Sequence, residues 1–356
     1  PPRSTLFPYT TLFRSIDPTD TDYPIAFNPL RMTRSRKDQV VSAIVDSMKK
    51  IFEDSWGPRT DYLLTQSVSA LAASPDGMFL GIPKILLDEN FRKKVLKHIQ
   101  DPVLMEFWRK EYPNIPARLR IESIAPILNK VNRFLMVPGM RNMIGQKENY
   151  IDFKSVMDTE KILLINLSKG VMGEENSALL GSFLLAHLQI SVLSRADDPP
   201  ETRKPFFLFI DELQHFLEKS VISTKTLFTE GRKYKVGIIG ACQHISQLQS
   251  MADTVFGNAG TIVSFSVGPK DARLIAGYLR EIGDEDLLNL PLYHAYLCTT
   301  VENKPQVISI KNIPPVITGT GGKEKIRKYS RTTYARPRAE VETEITQFFQ
   351  QKFPIP

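Results

Sequence analysis

The stretch that most constrains this chain is Lys204–Gln243, which reads KPFFLFIDELQHF and, after a run of helix length, GRKYKVGIIGACQ. The apolar run Phe206–Ile210 is far too short to cross a bilayer and follows Pro205. It suits a strand buried on both faces of a parallel sheet. It stops at two adjacent carboxylates, Asp211 and Glu212. A second apolar run, Val236–Ala241, leads to Gln243. Open α/β sheets set their ligand sites at the carboxyl ends of such strands. The pair therefore predicts an α/β core with a site at Asp211, Glu212 and Gln243.

The chain of 356 residues has room for one large domain or two ordinary ones. Its apolar fraction of 42% and charged fraction of 24% are those of a globular protein. No apolar run approaches membrane-spanning length, and no secretory signal is visible. Cys242 and Cys298 lie in strand-like apolar runs and read as small core residues of a reducing compartment. The five histidines and two cysteines show no metal-ligand spacing. The net charge of +7 is diffuse and tilts toward an anionic partner.

The first fifteen residues, PPRSTLFPYTTLFRS, repeat TLF and look like translated read-through of a sequencing adapter. Pro1–Ser15 is set aside as an assembly artefact, the alternative being a genuine disordered tail. The natural chain is then expected to extend upstream, with this sequence a C-terminal fragment. From Ile16, IDPTDTDYPIAFNPL reads as a strand end and an extended loop. Asp38 is placed to cap a helix over Val40–Phe52. Helices follow at Asp61–Ala73, Pro83–Leu87, Glu89–Ile99, Pro102–Glu111 and Ile121–Phe134. Strands resume at Ile162–Asn166, and a helix apolar on most faces runs from Glu175 to Ser194. Beyond the central stretch come a strand at Thr261–Val267, a helix at Asp271–Leu279 and a hairpin at Ala295–Thr300 with Gln306–Ile310. The implied division is a partial core segment over 16–37, an inserted all-α domain over 38–149 and the α/β core over 150–313. Residues 314–356 then make a linker, a basic tail and a short helix at Val341–Phe349.

A strand-end acid can hold the water shell of Mg²⁺ in a nucleoside triphosphatase, and a neighbouring Glu can polarise the attacking water. An apolar strand would hold both rigidly at a dry mouth. The plainer alternative is a solvated strand end, with Asp211 capping the next helix. Arg232, in Glu230-Gly231-Arg232-Lys233, lies on the loop entering the next strand. It could reach a triphosphate across a subunit boundary, or merely sit at a helix C-terminus where glycine and cations are favoured. Gln243 could sense the γ-phosphate or satisfy a loop.

On these residues, FFLFIDELQHF, TEGRKYKVGIIGACQHISQL and NAGTIVSFSVGPKDARLIA, the chain resembles the FtsK/HerA superfamily of P-loop ATPases. It is most similar to the type IV secretion coupling-protein (TraD/TraG-like) branch, over about Asp17 to Ile310. The resemblance implies a RecA-like P-loop NTPase core, α/β with a mostly parallel sheet and an inserted all-α domain. It also implies a homo-hexamer that moves DNA with ATP and Mg²⁺ in a secretion system, in the cytoplasm or at the inner membrane face. Carried over, Asp211 and Glu212 match the Walker B acids, with Asp211 on Mg²⁺ through water. Arg232 matches the arginine finger and Gln243 the sensor glutamine. WGPR at Trp56–Arg59 and MRNMIGQ at Met140–Gln146 also look familial, with no role assigned to Arg59 or Arg141. One departure is decisive. No G-x-x-x-x-G-K-[ST] loop occurs in the sequence, the only Gly-Lys pair being Gly322-Lys323 before Glu324. The chain by itself is therefore expected to bind ATP poorly.

Lys323–Arg338 carries seven cations, Lys323, Lys325, Arg327, Lys328, Arg331, Arg336 and Arg338, against one acid, with Tyr329 and Tyr334 between them. Such a run suits DNA phosphate contact with some stacking, or else a solvated disordered tail. Two rivals to a DNA translocase stay open: a secretion motor that never grips DNA, and a catalytically silent scaffold or nucleic-acid-binding module.

Overall fold

Apolar residues at helical spacing from Val40 onward bury one face of α1 (Lys37–Ile51), where Val40, Val41, Ile44, Val45 and Met48 enter the core. The computed structural model describes residues 12–32, 37–217, 221–279, 281–302, 304–314 and 322–350. Asp38 lies inside the first turn of α1 and so acts on the helix dipole. α2 (Pro58–Ala73) starts with proline in its first turn, the position where a missing N–H costs nothing. α3 (Gly81–Leu87) and α4 (Glu89–Leu96) share Asp88, whose carboxylate accepts from Phe91 N. A helical run over 102–114 contains one wide π-turn at Phe107–Glu111 that packs Phe107, Trp108 and Tyr112 together. α5 (Ala117–Leu135) carries Pro126 within it. α6 (Pro138–Ile144) and α7 (Phe153–Asp158) are short helices that the periodicity did not reveal.

β1 (Phe13–Ile16) pairs in parallel with β2 (Ile162–Ile165), so the structure gives Phe13–Ser15, set aside above, a place beside β2. α8 (Glu174–Leu193) packs against α1 and buries fifteen of its twenty residues. By length and composition it could cross a membrane, which corrects the reading that no run approached that length. Ser177, Ser182, His187 and Ser191 interrupt its apolar residues. Since 83% of its most apolar window is buried inside the protein, it is a core helix.

The chain divides into two compact units, residues 1–206 with 321–356, and Phe207–Thr320. The second unit begins within β3 (Phe206–Ile210) and continues through α9 (Val221–Glu230), β4 (Val236–Gly240), β5 (Thr261–Ser264), α10 (Pro269–Leu279), β6 (His294–Val301) and β7 (Lys304–Lys311). The described strands form three small sheets, not one mostly parallel sheet. β1 and β2 are parallel, β3 pairs with β4, and β5, β6 and β7 are antiparallel. A tight connection between β6 and β7 permits only the antiparallel arrangement. Nor is β3 buried on both faces: Phe207 and Phe209 are 61% and 71% exposed. Two strands alone offer too little area to seal a sheet face.

The C-terminal residues are helical. α11 (Gly322–Tyr334) and α12 (Arg338–Gln350) fold back within the first unit. α11 packs on β1, and α12 packs on α6 through Val341 and Ile345. Most of the linker expected before them, Pro315–Gly321, lies outside the described residues.

Candidate functional site

β3 and β4 bring the strand-end residues to one side. A Cβ on Gly237 would come within 2.9 Å of the Phe207 ring, and Ala241 N donates to Ile210 O at 2.9 Å. The two pairs advance together along both segments, so the strands run the same way. The chain then turns at once. Glu212 has φ +50°, a left-handed conformation that costs a non-glycine residue about 1 kcal/mol or more. Leu213 N donates to Ala241 O at 2.8 Å, and His215 N to Glu212 O at 3.0 Å, which holds the turn.

That turn aims Glu212 at two amides. Gln243 Nε2 donates to Glu212 Oε1 at 2.5 Å, and Gln214 Nε2 donates to Oε2 at 2.5 Å. Both oxygens of the carboxylate are thus held. Asp211 is exposed, and its Oδ1 accepts from Glu212 N at 3.0 Å, so it does not cap a helix. The mouth is wet: Asp211 and Gln243 are both exposed. Cys242, expected in the core, is exposed as well, because β4 ends at Gly240 and Cys242 falls in the loop.

Two members of this cluster were missed from sequence. Gln214 is buried and its own Oε1 has no hydrogen-bond partner. An amide two residues beyond Glu212 was the only available signal. His244 Nδ1 lies 3.2 Å from Oδ2 of the buried Asp271 on α10, whose Oδ1 accepts from Ser246 N at 3.0 Å. Asp271 thereby pins the loop after Gln243.

Arg232 does not join the cluster. It is exposed in the turn Gly231–Tyr234 after α9, and Lys235 at φ +55° leads from there into β4. Arg232 precedes β4 and Gln243 follows it, at opposite ends of a strand roughly 16 Å long at ~3.3 Å per residue. For a metal, the site offers Asp211 alone. No cluster of three or more His, Cys, Asp or Glu able to hold an ion occurs among the described residues. One carboxylate suits Mg²⁺, which keeps most of its waters and completes its shell with substrate phosphates.

The basic residues of the C-terminal segment are largely engaged within the protein. Arg331 donates to both oxygens of Asp20 at 2.7 Å, and Arg327 Nε lies 3.3 Å from the same carboxylate. Arg336 forks onto Glu344 at 2.6 and 2.8 Å, and Arg338 pairs with Glu342. Lys323, Lys325 and Lys328 are exposed. A disordered tail is therefore not what this segment forms. The two familial loops also have structural work. Gly57 precedes α2, and Arg59 is exposed in its first turn. Arg141 Nη1 donates to Leu135 O at the end of α5, and Gln146 reaches Asn142 O.

No protein-family model matches this chain, and no curated protein matches it. Among solved structures the chain has a fold similar to that of a bacterial conjugative coupling protein, which bears out the resemblance at the level of the fold. Those structures are of TrwB. An unbound monoclinic form of TrwBdeltaN70 is 13% identical, with a TM-score of 0.57 over 84% of this chain and 72% of that one. TrwB with ADP and Mg²⁺ is 13% identical, with a TM-score of 0.60 over 86% and 75%. TrwB with the GTP analogue GDPNP is 14% identical, with a TM-score of 0.59 over 84% and 73%.

Proposed function

We propose that this chain carries the water-handling half of the nucleotide site of an ATP-driven DNA translocase of the conjugative coupling type. The observation that carries the reading is the grip of Gln243 and Gln214 on Glu212 at the ends of two parallel strands. It occurs in a fold shared with nucleotide-bound coupling proteins. Asp211 would hold Mg²⁺ through water, and the ion would neutralise charge on the transferring phosphate. Glu212 would orient and polarise the attacking water once Gln243 releases Oε1 to meet the γ-phosphate. Arg232, remote from its own cluster and exposed, would act in the site of the next subunit of a homo-hexameric ring in the cytoplasm. Because this sequence holds no G-x-x-x-x-G-K-[ST] loop, the phosphates need a cradle from elsewhere in the protein.

The test compares this chain with the same chain joined to an upstream segment that carries a G-x-x-x-x-G-K-[ST] loop, measuring Mg²⁺-dependent ATP hydrolysis with and without DNA. The chain alone should not turn over ATP. The joined protein should, with DNA stimulation, and Glu212→Gln should lower its rate about 10²–10⁴-fold. Hydrolysis by the chain alone at a Glu212-dependent rate would sink the half-site reading. Hydrolysis indifferent to DNA favours a secretion motor for protein cargo, and none at all favours a scaffold.

A further inference from the structure

Within the first unit, α11 and the carboxyl ends of β1 and β2 enclose a cavity of about 410 Å³, inside the ~300–1,000 Å³ range of small-molecule sites. Ile25, Leu164 and Ile326 give it apolar walls. Its polar lining is divided between groups already paired and groups that are not. Asp17 accepts through Oδ1, from Thr19 N and Oγ1 at 3.1 and 2.6 Å and from Asn166 Nδ2 at 3.1 Å. Asp20 is filled by Arg331 and Arg327. Asp17 Oδ1 and both oxygens of Asp20 are thus occupied, and donor groups line the same cavity. Ser330 is 3% exposed and its hydroxyl has no hydrogen-bond partner. Arg327 meets Asp20 through Nε and also lines the cavity. Lys323, in the first turn of α11, forms no ion pair with a carboxylate among the described residues.

We propose that this cavity binds a phosphate ester with a flat or apolar portion, of about mononucleotide size. Three donor groups of different kinds, Lys323, Arg327 and Ser330, line the cavity from one helix and can meet phosphate oxygens. The apolar walls and Tyr23 receive the rest of the ligand. This site is independent of Asp211, Glu212 and Gln243, which belong to the second unit.

The experiment is calorimetric titration of the whole chain with thymidine monophosphate, with inorganic phosphate and with a short oligodeoxythymidylate, alongside thermal melts. Thymidine monophosphate should bind more tightly than inorganic phosphate. Lys323→Gln and Ser330→Ala should each weaken it by about tenfold. Neither should lower the melting temperature, since Lys323 is exposed and Ser330→Ala deletes an unpaired buried hydroxyl. If the natural source is a strand, the oligonucleotide binds tighter than the monomer with a salt-dependent affinity. If it is a free nucleotide, the monomer binds at least as well. The proposal is overturned if no probe binds, if inorganic phosphate binds as tightly as the nucleotide, or if both variants bind like the parent.

Discussion

A carboxylate held through both oxygens by amide donors is well positioned but not free to take a proton from water. Glu212 is in that state, and its partners differ in kind. Gln214 is buried and fixed, whereas Gln243 is exposed at a strand end and can swing to a bound phosphate. The acid pair and Gln243 were legible because an apolar run that stops at polar residues is a one-dimensional pattern. The left-handed turn at Glu212 that brings them together is not such a pattern, and Gln214 was invisible with it. A second residue has a measurable signature. His187 on α8 is buried, and its Nε2 donates at 2.8 Å to Pro29 O, which fixes the neutral tautomer. Burial pushes its pKa from 6.5 down to about 4, outweighing the hydrogen bond to Pro29. The unfolded chain therefore takes up the proton first. The stabilisation is complete above pH 6.5 and is lost as pH falls toward about 4, a total on the order of 3 kcal/mol. Urea denaturation across that interval should show stability falling with pH, and His187→Gln should flatten the slope.

At the scale of elements, the helical block and the helix at Val341–Phe349 were largely readable, and the basic run Lys323–Arg338 was not. Periodicity located α1, α2 and α5 to within a few residues because each buries one face. Charge density alone made Lys323–Arg338 look like a free arm. A run of cations becomes a docked helix when the fold supplies buried carboxylates, and nothing near α11 in sequence announces Asp20, more than three hundred residues away. Asp20 is buried, and Arg331 and Arg327 together hold its carboxyl below the usual range against the opposing effect of burial. Asp20→Asn should destabilise the first unit by about 1–2 kcal/mol, the modest figure reflecting two arginines that stay partly solvated. Chemical denaturation followed by far-UV circular dichroism reads this directly. No change would mean that the pairing is incidental to the docking of α11. Most strand positions were legible, β1 being the exception because Phe13–Ser15 had been set aside, but strand environment was not. Phe206–Ile210 has the composition of a buried strand, and composition does not say how many strands will pair beside it.

At the scale of the whole molecule, the chain leaves its first unit at about Phe206 and returns to it at Gly321. Removing 321–356 should cost that unit the buried side chains of Val341 and Ile345, roughly 3–6 kcal/mol at about 1.5–3 kcal/mol each. It should also strip the arginines from Asp20. A lowered melting temperature of the truncated chain checks this, and an unchanged one would show that α11 and α12 rest on the surface without holding it. The same return path sets an order of events during synthesis. The segment Phe207–Thr320 is continuous and is synthesised before α11 exists, whereas the first unit cannot close until α11 and α12 emerge. A nascent chain paused after Thr320 would thus leave open the surface that α11 covers, with Asp20 unneutralised, and synthesis of α11 is the step that closes it.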